Sequence, residues 1–290
     1  MSKGFIFACL GYFLWGILPL YWKIIQEVPA FQIMCHRIVW SVVFLLLIHA
    51  IKGNFSWLKK AFQNKKVLLT FLTSALLLSA NWFTYIWSVN NGRTIEASLG
   101  YFINPLFMVI LGVIFLKERP DKWSWFAIGL AAVGIVYTIT IYGSVPWVAF
   151  VLVGSFGTYG LLRKTAALNS LQGLTLETIL MLIPALVFLI YFEINGTGAF
   201  GHLTFGKNVL LAMAGIATSV PLLFFAYGAR RIQYTTTGIL QYIAPTFQFI
   251  IGLLIFKEEF TTNRLIGFSF VWLALIIYTV NNVRKRRRSL

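Results

Sequence analysis

The chain has 290 residues, of which 59% are apolar, 17% aromatic and only 11% charged. An ordinary soluble domain carries ~25% charged residues, so this composition excludes a soluble globular fold. Twenty-four Lys and Arg against eight Asp and Glu give a net charge of +16; in a chain this apolar, the basic excess belongs to short loops between membrane spans, not to a nucleic-acid surface.

Apolar runs between charged or Pro/Gly-rich breaks predict ten membrane-spanning helices, at 4–22, 32–51, 67–89, 95–116, 123–142, 146–162, 173–192, 208–229, 235–256 and 262–281. Ten spans of ~20 residues leave no room for a separate soluble domain. The first run reads as a retained span, because it is long and no small-x-small cleavage site follows it. It carries Tyr12, Trp15 and Pro19. Cys9, and Cys35 in the second span, have neither CxxC nor metal-ligand spacing and read as buried small hydrophobes.

The second span also holds His36 and Arg37, the latter about two turns inside. Asn81, Trp82 and Tyr85 lie in the third span. Glu96, Ser98, Tyr101 and Asn104 precede Pro105 in the fourth, and Thr235, Thr236, Thr237, Gln241 and Tyr242 precede Pro245 in the ninth. Each proline frees the carbonyl four residues earlier, at Tyr101 and Gln241, and at mid-membrane depth a freed carbonyl needs protein, water or a ligand. Glu177 sits about one turn inside the seventh span. Ionisable groups within spans are expensive and are candidates for function; only Arg37 and Glu177 stand out here. Trp22, Trp57, Trp123 and Trp147 fall at span ends, where interfacial anchoring is expected.

Eighteen basic residues fall in the two tails and the second-to-third, fourth-to-fifth, sixth-to-seventh and eighth-to-ninth loops, which ten spans put on one side, and five fall in the loops of the other side. This asymmetry predicts that both termini are cytoplasmic. The run Arg284 to Arg288, within a basic tail at 284–290, reads as a topology signal touching anionic lipid.

A shift of 140 residues lays Ile103-Asn104-Pro105-Leu106-Phe107 on Ile243-Ala244-Pro245-Thr246-Phe247, Lys117-Glu118 on Lys257-Glu258, and Arg37 on Glu177. Near 144 residues, Trp15-Gly16 falls on Tyr159-Gly160. The expected fold is therefore an all-α polytopic membrane protein of two five-helix repeats, 3–142 and 146–283. Five is odd, so the second repeat is inverted, as in many secondary transporters. Inversion puts Arg37 and Glu177 near opposite faces, each at its own gate, with no salt bridge between them. The first, third, fourth, sixth, eighth and ninth spans are expected to face a cavity, where aromatic faces suit flat or cationic solutes. No catalytic motif, metal cluster or ATP-binding loop is present, so the chain is read as a non-enzyme without cofactor or metal, and concentrative transport would run on a gradient.

Gly11-Tyr12-Phe13-Leu14-Trp15-Gly16, His36-Arg37 with Trp40-Ser41, Asn81-Trp82, Trp87-Ser88-Val89-Asn90-Asn91 and the string from Glu96 to Pro105 carry a resemblance, joined by Gln241-Tyr242-Ile243 and Pro245-Thr246. The chain resembles the RarD branch of the EamA-type drug/metabolite transporter superfamily, over about residues 4 to 281. The resemblance implies a bacterial inner-membrane permease that exports a small organic metabolite or drug-like solute by alternating access. An uptake permease and a lipid-handling or structural membrane protein are the alternatives. Substrate, coupling ion and oligomeric state are not set by it.

Overall fold

A computed structural model describes residues 2–91, 93–142, 147–255, 257 and 262–288. Among the described residues every regular element is helical: α1 (Lys3–Ile24), α2 (Ala30–Ile51), α3 (Ser56–Gln63), α4 (Lys65–Asn90), α5 (Thr94–Leu116), α6 (Lys122–Tyr142), α7 (Trp147–Thr165), α8 (Ser170–Ile194), α9 (Phe205–Ala229), α10 (Tyr234–Leu240), α11 (Ile243–Leu254) and α12 (Thr262–Arg288). Eight segments are long and apolar enough to cross a membrane: α1, α2, α4, α5, α6, α8, α9 and the joined stretch Tyr234–Leu254. Of the ten spans expected, two fall short of that measure, namely α7 and the apolar stretch Leu265–Asn281 within α12. The loop after the second span contains α3. Its Trp57 is buried, with Nε1 donating to the Asn54 carbonyl at 3.1 Å, so it is not an exposed interfacial anchor.

Local chemistry sets the helix boundaries. Asn169 and Gln172 form a reciprocal capping box at the start of α8, and the Asp121 carboxylate accepts from the Ser124 N–H at 2.7 Å at the start of α6. The ninth predicted span breaks at Gln241-Tyr242, just where Pro245 withholds a donor, whereas α5 runs unbroken through Pro105. Thr235, Thr236, Thr237 and Gly238 are poor helix formers, while α5 has Ala97 and Leu99 ahead of its proline. Lys117 and Lys257, at matching repeat positions, both adopt left-handed backbone with φ of 53°. Only a sharp corner at the end of a helix justifies that conformation in a lysine.

Contacts sort the helix ends into two sets. At the tail end, Lys164 reaches the Ala229 and Ile232 carbonyls, Glu118 meets Tyr234, and Asn281 meets Asp121. At the far end, Gln32 donates to the Thr197 carbonyl, Tyr21 to that of Leu210, and Arg93 lies over Trp147. Helix packing pairs off across the two halves: α1 on α9 with α4 on α7, α1 on α11 with α5 on α7, and α2 on α9 with α4 on α8. Three further contacts, α2 with α8, α5 with α10 and α6 with α12, each join counterparts. The largest core cluster, which includes Ala8, Leu45, Met108, Leu111, Tyr159, Phe225, Ala229 and Tyr234, fills the tail half of the bundle.

Candidate functional site

The far half holds a cavity of about 190 Å³. Its lining begins near mid-helix, at Tyr12, Asn104, Phe156, Leu222 and Gln241, and continues through Trp15, Asn81 and Tyr101 to Trp22 at the far end of α1. An apolar cavity of ~150 Å³ takes up benzene, so this space suits a solute of about one ring with a short arm.

Of the residues singled out from the sequence, Tyr12, Trp15, Arg37, Asn81, Trp82, Tyr101, Asn104, Gln241 and Pro245 line this one space. They come from α1, α2, α4, α5 and the broken α10–α11 segment. Three others do not line it. Pro105 packs its carbonyl beside Gly238, Tyr242 is buried with its hydroxyl donating to the Phe102 carbonyl at 3.1 Å, and Glu177 belongs to the tail half. The Glu96 side chain lies outside the described residues. The second span, not expected to face the cavity, contributes Arg37.

Among the described lining residues Arg37 is the one with a full charge. Its Nε donates to Thr218 Oγ1 at 2.7 Å, and its guanidinium carbon lies 4.3 Å from the Trp82 ring centre and 5.1 Å from that of Trp22. Among the described residues no carboxylate pairs with it. Trp22, expected at the lipid interface, faces inward because this cation attracts its π-face. Deeper in, Asn104 donates to Gln241 Oε1 at 2.7 Å and Asn81 to the Leu152 carbonyl at 2.9 Å. Among the described residues the buried Tyr12 hydroxyl and Asn104 Oδ1 have no hydrogen-bond partner, which is the condition of groups that await water or a ligand.

The tail half is closed beneath these residues. Tyr12, Phe156 and Tyr159 pack around the Phe225 ring, with centroids 5.5 to 6.3 Å away. Glu177 accepts from Ser74, lies 3.5 Å from Tyr159 Oη and 3.5 Å from Arg163 Nη1, and both ion-pair partners are almost fully buried. The predicted span 146–162 leaves Arg163 among the loop cations that follow it; the residue belongs instead to α7, and its Nη2 donates to the Ser170 carbonyl at 2.8 Å. Arg230 in turn donates to the Arg163 and Ala166 carbonyls at 3.1 and 2.7 Å. Burial, then the charges of Arg163 and Arg231, push the Arg230 guanidinium below its ordinary pKa. Glu118, turned by the left-handed Lys117 corner, accepts from the Tyr234 and Thr235 N–H groups at 2.6 and 2.8 Å. Arg163 gave no distinctive signal in sequence, since its position at a span end fits a loop cation equally well. Thr218 and Gln248, polar residues within spans, carried a weak one.

Comparison with known proteins decides the family. Residues 2–140 and 145–280 each match the EamA-like transporter family. The chain belongs to that family. It is 42% identical to the uncharacterized transporter YojE of Bacillus subtilis, over 99% of this chain and 97% of that one. It is 38% identical to protein RarD of Escherichia coli, over 99% and 97% of the two chains. Likeness of this extent places it in the RarD branch. A solved crystal structure shares the fold with a TM-score of 0.75, at 15% identity, covering 96% of this chain and 98% of the other. The protein is thus a multi-pass membrane transporter of the drug/metabolite family. Among the described residues no three His, Cys, Asp or Glu side chains gather as a metal site.

Proposed function

We propose that the chain is a secondary transporter of the bacterial inner membrane, with both termini cytoplasmic, that exports a small organic solute by alternating access. The observation that carries this reading is the one-sided cavity: a space of about 190 Å³ lined with polar and aromatic groups in the far half, against a tail half filled by the Phe225 aromatic cluster and the Arg163–Glu177 pair, with a space of only about 20 Å³ beside Glu177 among the described residues. The charge asymmetry, 17 to 5 once the buried Arg163 is set aside from the 18, supports a cytoplasmic tail end, so this conformation presents the site outward.

Two five-helix repeats of opposite orientation, 3–142 and 146–283, supply the second state. Their exchange is supported by the paired helix contacts and the twin left-handed lysine corners. Glu177, engaged by Arg163, Ser74 and Tyr159, acts as a gate group at the tail end; Arg37 acts at the far side. Transport runs on a solute or ion gradient.

Purified full-length protein in liposomes should move a labelled solute from a metabolite panel saturably, and preloaded unlabelled solute should accelerate its entry by exchange. Arg37→Ala and Glu177→Gln should each abolish that exchange while the protein still reaches the membrane. Lipid scrambling without movement of any panel solute would replace transport with lipid handling.

A further inference from the structure

The proposed site is built for an organic anion. This inference rests on the transport reading, since it takes the far-half cavity as the solute site, and it reverses the cationic preference that the aromatic residues alone suggest. A cation entering this cavity would meet Arg37 and, among the described lining residues, no carboxylate to offset the repulsion. An anion would meet a guanidinium already positioned.

The positioning is specific. Thr218 Oγ1 holds Nε at 2.7 Å, and the Trp82 and Trp22 rings cover the guanidinium at 4.3 and 5.1 Å. Neither terminal nitrogen donates to a described protein acceptor, so the two parallel donors that grip a carboxylate are the part of Arg37 left uncommitted. A charge left without a counter-ion at this depth is costly. The indole faces compensate only in part, because a cation–π contact contributes about 0.5–2 kcal/mol. A bound anion supplies the remainder. We infer that the solute is a small carboxylate whose single apolar ring occupies the aromatic space between Trp15, Trp82 and Tyr101, with its acid group on the terminal nitrogens of Arg37.

The test uses three probes of one shape and different charge: phenylacetate, phenylacetamide and phenethylamine. Binding to the detergent-purified full chain is read as a rise in thermal stability, since a ligand that binds only the folded state stabilises it by mass action. Phenylacetate should bind about tenfold or more tighter than the amide, the difference expected of a charge-assisted pair, and the amine weakest of all. Arg37→Gln should erase the gap between acid and amide. Arg37→Lys, which keeps the charge and loses the fork, should keep the order with a smaller gap. Equal response to the three probes, preference for the amine, no response to phenylacetate at millimolar concentration, or an unchanged gap in a folded Arg37→Gln protein overturns the inference. The liposome assay separates its failure from that of the transport reading. Saturable movement of phenethylamine would sink the anion preference and leave transport standing, whereas Arg37-dependent binding of phenylacetate without movement would sink transport and leave the site.

Discussion

Two arginines show how differently the two halves of this bundle treat a buried charge. Arg163, in the packed tail half, is 1% exposed, lies 3.5 Å from the Glu177 carboxylate through Nη1 and donates from Nη2 to the Ser170 carbonyl. Arg37, in the hollow far half, has two indole faces, one hydroxyl and no described carboxylate. A charge met by its opposite within the protein is part of a seal, because the pair is stable only while both members stay together. A charge met by aromatic faces and open space is part of a site. The difference teaches that charge within spans does not identify function until its partner is known.

The sharpest way to break the comparison is to strip the seal of one partner. Arg163→Leu leaves Glu177 buried and uncompensated and should lower stability by about 3–5 kcal/mol, measured by thermal or denaturant unfolding in detergent; the Arg163→Leu/Glu177→Leu double variant should regain most of it. A smaller effect is expected at Gly215, where an added Cβ would collide with the Trp40 and Ser41 backbone of α2. Gly215→Val should force α2 from α9 at a cost of about 1–3 kcal/mol, and should weaken solute binding because Arg37 and Thr218 face each other across that contact. The smallest change is Thr218→Val. Losing one hydrogen bond to Arg37 Nε should cost about 1 kcal/mol, read mainly as weaker solute binding with little change in unfolding temperature. An unfolding loss at Thr218→Val as large as that of Arg163→Leu would mean that Arg37 belongs to a seal after all.

Much of the site was legible without coordinates. Polar and aromatic groups are rare enough in apolar spans that Tyr12, Trp15, Arg37, Asn81, Trp82, Tyr101, Asn104 and Gln241 stood out one by one, and all of them line one cavity. Tyr242 stood out equally and points elsewhere, to the Phe102 carbonyl. A one-residue step along a helix turns a side chain by about 100°, so composition cannot separate Gln241 from its neighbour. Arg163 was missed for another reason. A cation at the last turn of a predicted span reads as a loop charge unless the carboxylate that draws it inward is known, and Glu177 lies 14 positions away on another helix.

Sequence alone determined that the chain is a multi-pass helical membrane protein, which end of each span carries the basic residues, and which polar groups are candidates for function. These follow from hydropathy and charge, which are properties of the residues themselves. Tertiary structure decided which of the candidates share a space, that the large cavity lies in the far half, and that Arg163 is a core residue. Those outcomes depend on helix rotation and on partners distant in the chain: Thr218 for Arg37, Glu177 for Arg163 and Tyr234 for Glu118.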